Sequence, residues 1–203
     1  MNHPTIRTIS GASAPASIDA ARTALLVIDF QNEYFDGKLP IPDGRAALAN
    51  AQRLVAFADR KGMPVFHIQH VGPAGSPLFA DDGEMVGFHA DLQPGAGHAV
   101  LRKSSVSTFA STDLDARLKA AGIATLIISG LMTHACVAGA ARDAVPLGYA
   151  VIVADDACAT RDIDGSDGEP VPHRMQHRAA LASIADTFGD VMKTDAILAL
   201  PVV

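Results

Sequence analysis

Three side chains of this 203-residue chain stand where apolar runs stop. Asp29 sits near the end of Thr23–Phe30 (TALLVIDF), Lys103 ends His98–Lys103 (HAVLRK), and Cys136 follows Ala124–Gly130 (ATLIISG) by six residues. A carboxylate, an ammonium and a thiol are the parts of nucleophilic catalysis: the carboxylate takes the thiol proton and the ammonium favours the thiolate. Cys136 would fall in the first turn of a predicted helix, where free backbone N–H groups and the helix dipole also favour an anion. Each residue has an ordinary reading when taken singly. A buried cysteine is commonly an inert core thiol, an Asp after a strand a turn former or cap, and a Lys at a strand end solvated. Spacing does not bring the three together. They meet only if the strands that carry them end side by side.

The elements that would position them follow from hydrophobic pattern and punctuation. Strands are expected at Thr23–Phe30, Met63–His70, His98–Lys103, Ala124–Gly130, Tyr149–Asp156 and Val191–Lys193. Helices are expected at Arg45–Lys61, stopped by Gly62, and from a Thr112-Asp113 cap to about Ala121. Two more are expected at His134–Val145 and His173–Phe188, with a terminal turn capped by Thr194-Asp195. The long segments Val71–Gly97 and Arg161–Pro172 are loops on this reading. The strands are apolar throughout rather than alternating, which calls for a parallel sheet covered on both faces. Right-handed crossovers then give an α/β, three-layer, doubly wound (Rossmann-like) sandwich with a six-stranded, mainly parallel sheet. In such folds ligands sit beyond the carboxyl ends of the strands, where the strand order reverses. Residues 1–22, rich in Ser, Ala and Pro, form an N-terminal arm, and 23–203 a single domain.

Composition narrows the classes. The chain is 49% hydrophobic with a net charge of −6, which excludes disorder and, with no Lys/Arg cluster, argues against nucleic acid. No apolar run approaches the roughly 18 residues that span a bilayer. The N-terminus lacks the basic start and apolar stretch of a signal peptide, and two cysteines make no disulfide framework, so a cytoplasmic setting is expected. No GxGxxG follows any strand, which argues against a nicotinamide cofactor.

Three segments, in order, carry a resemblance: LLVIDFQNEYF (Leu25–Phe35), LRKSSVSTFASTDLDARLKAAGIATLIISG (Leu101–Gly130) and MTHACVAGAARDAVPLGYAVIVADDACAT (Met132–Thr160). Together they resemble the isochorismatase-like cysteine hydrolase superfamily of nicotinamidase and N-carbamoylsarcosine amidohydrolase-type enzymes, over about Thr23–Leu198. The resemblance implies an Asp29–Lys103–Cys136 triad. Cys136 would attack the carbonyl carbon of an amide or ureido C–N bond to form an acyl-enzyme, with Asp29 as proton acceptor and donor. It further implies an oxyanion hole of the Met132 and Cys136 backbone N–H groups, and a non-proline cis peptide at Leu131–Met132.

Two other readings stay open. An isochorismatase-type vinyl-ether hydrolase resembles this chain but carries another residue at the Cys136 position, so the cysteine points to amide hydrolysis. A catalytically idle binding member is the second, against which the intact triad argues. Nicotinamidases bind a metal after the second strand. Here His67 and His70 are three residues apart on a strand, face opposite ways and have no companion aspartate, so no metal and no cofactor is expected. Gln31, Phe35, His70 and His134 are candidates for the substrate pocket, with Tyr34 weighed beside Phe35 and Gln31 as a support for the Asp29 loop. Arg161 is either a bidentate partner for a substrate carboxylate or a solvated loop residue, and Cys158 is structural. The expected partners are a small-molecule substrate and further copies of the chain, as a dimer or tetramer, with no nucleic acid and no membrane.

Overall fold

Parallel pairing of six apolar segments builds the frame of the computed structural model, which describes residues 3–203. These strands are β1 (Thr23–Ile28), β2 (Val65–His70), β3 (Ala99–Lys103), β4 (Thr125–Leu131), β5 (Ala150–Ala159) and β8 (Asp190–Met192). A small separate hairpin holds β6 (Ile163–Asp164) and β7 (Pro170–Val171). The sheet order is β3-β2-β1-β4-β5-β8, and all its pairings are parallel. The chain therefore starts at the centre, winds outward through β2 to β3, then crosses back to lay β4 on the other side of β1. The reversal falls between β1 and β4, where a doubly wound sheet opens its crevice.

The helices are α1 (Ile6–Ile9), α2 (Gly44–Lys61), α3 (Leu114–Ala120), α4 (Ala138–Ala144), α5 (His173–Thr187) and α6 (Thr194–Leu198). β1 is buried along its whole length, as its unbroken apolar run requires. Its side chains alternate between two cores. Leu25 and Val27 pack with Leu54 and Phe57 of α2 and Ile197 of α6, whereas Leu26 and Ile28 pack with Leu118 of α3, Ala141 of α4 and Ile184 of α5. Helices thus cover both faces. The α2 helix ends where Gly62 takes a left-handed φ of 69°.

Several sequence expectations are corrected. The first strand ends at Ile28 rather than Phe30, because Asp29 turns out of it with φ 56°. β5 continues to Ala159, so Cys158 lies inside the strand rather than after it. The expected helix His134–Val145 divides into a π-helical turn over Thr133–Val137 and the shorter α4. The Arg161–Pro172 loop carries the β6–β7 hairpin, and Val71–Gly97 holds 3-10 turns at Glu84–Val86 and Ala90–Leu92. Ahead of α3 the Thr112 hydroxyl accepts the Leu114 N–H at 3.2 Å, while Asp113 turns to Arg117 at 2.9 Å. Thr194 lies inside α6, and its N–H and hydroxyl both donate to Asp156 Oδ1. The N-terminal arm contains α1, tied to the body by Ile6 N–H to Asp186 Oδ1 (2.9 Å) and by an Arg7–Asp190 ion pair (2.8 Å). Met1 and Asn2 lie outside the described residues. No helix among the described residues is long and apolar enough to cross a membrane.

Candidate active site

Asp29, Lys103 and Cys136 converge at the strand-order reversal. Asp29 adopts the left-handed backbone region, which Asp tolerates better than most residues. Lys103 ends the edge strand β3, two strands away from β1. At about 4.8 Å per strand, its side chain has to cross the end of β2 to reach the centre. It does so with Nζ 2.9 Å from Asp29 Oδ2 and 3.3 Å from Cys136 Sγ, and both side chains of the ion pair are fully buried. On the way the ammonium donates to His70 Nδ1 at 2.9 Å and to the Ser105 carbonyl at 3.1 Å.

Cys136 is held by the π-helical turn. The Met132 carbonyl accepts the N–H groups of Ala135 (3.1 Å) and Val137 (3.3 Å), on either side of the cysteine. Thr133 Oγ1 sits 2.8 Å from His177 Nδ1 on α5, and His134 Nδ1 2.7 Å from Thr160 Oγ1 just past β5. The turn is therefore fastened to two neighbouring elements. Directly before it the Leu131–Met132 peptide is cis, as the resemblance implied. Gly130 pairs with Ile28 across the reversal, and a Cβ there would lie 2.6 Å from Ile28 Cβ. Only a residue without a side chain lets β4 approach β1 this closely.

The charges of the cluster are coupled. Burial raises the Asp29 pKa above the usual carboxylate value, opposed by the Lys103 charge and the neighbouring thiol. Burial and the Asp29 charge push the Cys136 thiol up to about 12, and Lys103 opposes only part of that. Lys103 therefore acts on the thiol in the expected direction but is outweighed by burial and the Asp29 charge. With one cation, one anion and a neutral thiol the cluster carries no net charge. A second anion in the same dry space would be left uncompensated. One acid proton is thus shared between Asp29 and Cys136, and its transfer from sulfur to oxygen keeps the cluster neutral. His70 is neutral: burial, then the Lys103 charge, bring its pKa down to about 4.

The residues expected around the triad divide. His70 is in place, touching Lys103. Gln31 is fully buried and braces the loop. Its amide accepts the His70 N–H (2.8 Å) and donates to the carbonyls of His70 (2.8 Å) and Val86 (2.7 Å). Phe35 is turned away, with its ring against His89 and Arg45. Its neighbour Tyr34 takes the position near the triad: burial, then the Asp29 and Cys136 charges, keep its phenol from ionising. His134 is half-buried and feels the Arg161 charge. The Arg161 guanidinium also acts on Tyr34. It has a buried Nε without a partner, one bond to the Asp162 carbonyl (3.0 Å), and no carboxylate within ion-pair distance among the described residues. His67 points away from His70, as strand parity requires, and stacks on His98. Among the described residues no cluster of three or more His, Cys, Asp or Glu side chains is arranged for a metal ion.

Two contributions had little sequence signal. The Ser105 carbonyl is supplied by backbone curvature after β3, and the Thr133–His177 link joins residues 44 positions apart. Cys136 itself is 5% exposed. A cleft of about 250 Å³ runs along the last residues of β5, between Ala46 and Asn50 of α2 and His173 and His177 of α5, with Cys158 and Thr160 in its wall; none of the triad residues lines it.

The arrangement has relatives. The Isochorismatase domain model matches residues 23–196. The uncharacterized isochorismatase family protein YddQ of Bacillus subtilis is 35% identical over 87% of this chain and 98% of its own. Streptothricin hydrolase of Streptomyces noursei is 34% identical over 86% of this chain and 63% of its own. A crystal structure of an isochorismatase from Pseudomonas putida superposes with a TM-score of 0.87 at 31% identity, covering 97% of this chain and 100% of that one. N-carbamoylsarcosine amidase from Thermoplasma acidophilum does so with a TM-score of 0.71 at 28% identity, covering 86% and 97%. The matched segment holds Asp29, Lys103, Cys136 and the strands that bring them together, and the chain is a hydrolase of the isochorismatase family.

Proposed function

We propose that this protein is a cysteine-dependent hydrolase that cleaves an amide or ureido-type C–N bond of a small molecule through an acyl-enzyme. The observation that carries this is the single buried cation set between one acid and one thiol, at 2.9 and 3.3 Å. Similarity to a streptothricin hydrolase and to an N-carbamoylsarcosine amidase supports the bond class.

In this mechanism Asp29 takes the Cys136 proton as Sγ bonds to the carbonyl carbon. The backbone N–H groups of Met132 and Cys136 receive the oxyanion, a contribution worth about 10²–10³ in turnover per donor. Asp29 passes the proton to the departing nitrogen as the C–N bond breaks. A water then bonds to the acyl carbon, giving its proton to Asp29, and the C–S bond breaks with return of that proton to sulfur. Lys103 keeps the cluster neutral at each stage and makes no bond to substrate. Arg161, with its unpaired Nε, is the group available to a negative charge on the acyl portion of the substrate.

The test is release of ammonia or amine from a panel of small primary amides and ureido acids, neutral and carboxylate-bearing. It is paired with intact-mass detection of an acylated enzyme. Cys136→Ala should abolish both release and adduct. Unchanged release in that variant would locate the amide chemistry elsewhere and remove the cysteine mechanism. A panel with no turnover and no adduct would favour the idle binding member.

A further inference from the structure

In the proposed mechanism the oxyanion is received by the backbone N–H groups of Met132 and Cys136, and the residues between them are Thr133, His134 and Ala135. The first two of these are tied to other elements. Thr133 Oγ1 lies 2.8 Å from His177 Nδ1 on α5, and His134 Nδ1 lies 2.7 Å from Thr160 Oγ1. One tie thus adjoins Met132, and the other stands nearer the cysteine. We propose that His177 is a positioning residue of this site: through Thr133 it fixes the Met132 N–H where the oxyanion forms, without taking part in activating the thiol. This rests on the acyl-enzyme mechanism proposed above.

Thr133 is fully buried, and among the described residues its hydroxyl bonds to His177 alone. A buried hydroxyl without a partner is costly, so loss of the imidazole would drive Thr133 to rotate toward another group. Met132 would follow, because its carbonyl accepts the Ala135 and Val137 N–H groups and so belongs to the same turn. The α5 helix is a firm reference for this tie. Leu181 and Ile184, four and seven residues beyond His177 and on the same face, pack in one core with Ala138 and Ala141 of α4. The thiol is governed elsewhere: burial, Asp29 and Lys103 set the Cys136 proton, and the Thr160 tie remains to hold the cysteine end of the turn. Burial, with Lys193 and His173, keeps the His177 pKa below its usual value against Asp155 and Asp43, so the ring is neutral at pH 8.

An oxyanion donor works only within about 2.7–3.1 Å of the oxygen it serves, and a misplacement of about 1 Å can cost roughly 100-fold in rate. Alkylation makes no such demand. Iodoacetamide reacts with sulfur at its methylene carbon, expelling iodide, and no oxyanion forms. Acylation and alkylation of the same sulfur therefore separate the oxyanion donors from the thiol.

The test compares both reactions at pH 8 in the parent, His177→Leu, His177→Asn, Thr133→Val and the Thr133→Val/His177→Leu double variant. The acylating probe is 4-nitrophenyl acetate: Sγ bonds to the acetyl carbon, the thiol proton passes to Asp29, and 4-nitrophenolate leaves. The burst of 4-nitrophenolate gives the acylation rate, and mass spectrometry locates both adducts at Cys136. His177→Leu and Thr133→Val should each lower the maximal acylation rate about 10- to 100-fold. The half-saturating probe concentration and the alkylation rate should stay near those of the parent. The double variant should lose no more than either single one, because the same link is broken. His177→Asn, whose amide stands near the Nδ1 position, should recover most of the acylation rate. If His177→Leu does not fold, Thr133→Val carries the comparison. Alkylation falling in step with acylation overturns the inference, as does a double loss equal to the product of the single losses. The two proposals fail separately. A parent alkylated but never acylated at Cys136 removes the acyl-enzyme and this role with it, whereas an acylated parent whose variants keep its ratio of acylation to alkylation removes only the role of His177.

Discussion

Replacing Asp29 by Asn should abolish hydrolysis and at the same time make the Cys136 thiol easier to alkylate. The two effects run in opposite directions because Asp29 is both the base that activates the sulfur and the charge that keeps it protonated. Burial and the Asp29 charge hold the thiol at about 12. A carboxylate in contact with the thiol, at an effective dielectric of about 20, disfavours the second anion by roughly 4 kcal/mol, about a thousandfold in the ionisation constant. Asn has the same shape without the charge, so its introduction leaves Lys103 to stabilise the thiolate unopposed. At pH 8 the thiolate population should rise close to a thousandfold. The lower basicity of that thiolate returns a factor of about 20 through reduced nucleophilicity. The net expectation is iodoacetamide alkylation faster by about 30- to 50-fold, with amide turnover down by at least about 10². The rate is read by mass spectrometry at Cys136, with Cys158 as the buried internal control. Access to the 5% exposed cysteine is common to both proteins and cancels in the ratio. Slower or unchanged alkylation in Asp29→Asn would refute the charge accounting of the cluster.

The acid limb of kcat/KM should lie above the ordinary carboxylate range, since burial raises Asp29 and a protonated Asp29 cannot accept the thiol proton. Activity should rise with pH through that value and then stay level past neutrality, because the second ionisation, at about 12, is far away; a limb at an unshifted carboxylate value would contradict this. Gly130→Ala should destabilise the protein by at least about 1–3 kcal/mol in urea unfolding, because the new Cβ lands 2.6 Å from Ile28 Cβ; an unchanged midpoint would show that β4 can shift without cost. Arg161→Ala should raise KM for carboxylate-bearing amides about tenfold or more while sparing neutral ones, read from parallel saturation curves. An equal change for both classes would remove Arg161 from substrate recognition.

The triad was legible because each member closes or follows an apolar run, and in a parallel sheet such runs end on one edge. The order of the strands and the convergence of their ends are tertiary facts that no single run encodes. Burial of Thr23–Ile28 on both faces was legible from its unbroken hydrophobicity. The protonation of Cys136 was not, because it depends on how much water is excluded and on a carboxylate 107 positions away, neither visible in local spacing. Phe35 and Tyr34 could not be told apart by type, and only the fold buries Tyr34 against Phe79 while laying Phe35 against His89. The π-helical turn escaped for a similar reason. Thr133 and His134 look like ordinary first-turn residues until their bonds to His177 and Thr160 show what widens and anchors the backbone. The β5 run carries two adjacent acids, Asp155 and Asp156, which read as a strand end, yet Cys158 and Ala159 rejoin the ladder opposite Gly130 and Leu131.

Lys103 belongs to a strand with a neighbour on one side only, since β3 is the margin of the sheet. Peripheral segments of this kind open locally at a smaller free-energy cost than central ones. When β3 frays, the ammonium withdraws from between Asp29 and Cys136 while the central strands stay paired. Mild denaturant or gentle warming should therefore silence this protein before it unfolds, and recovery on dilution should be as quick as one strand takes to settle back.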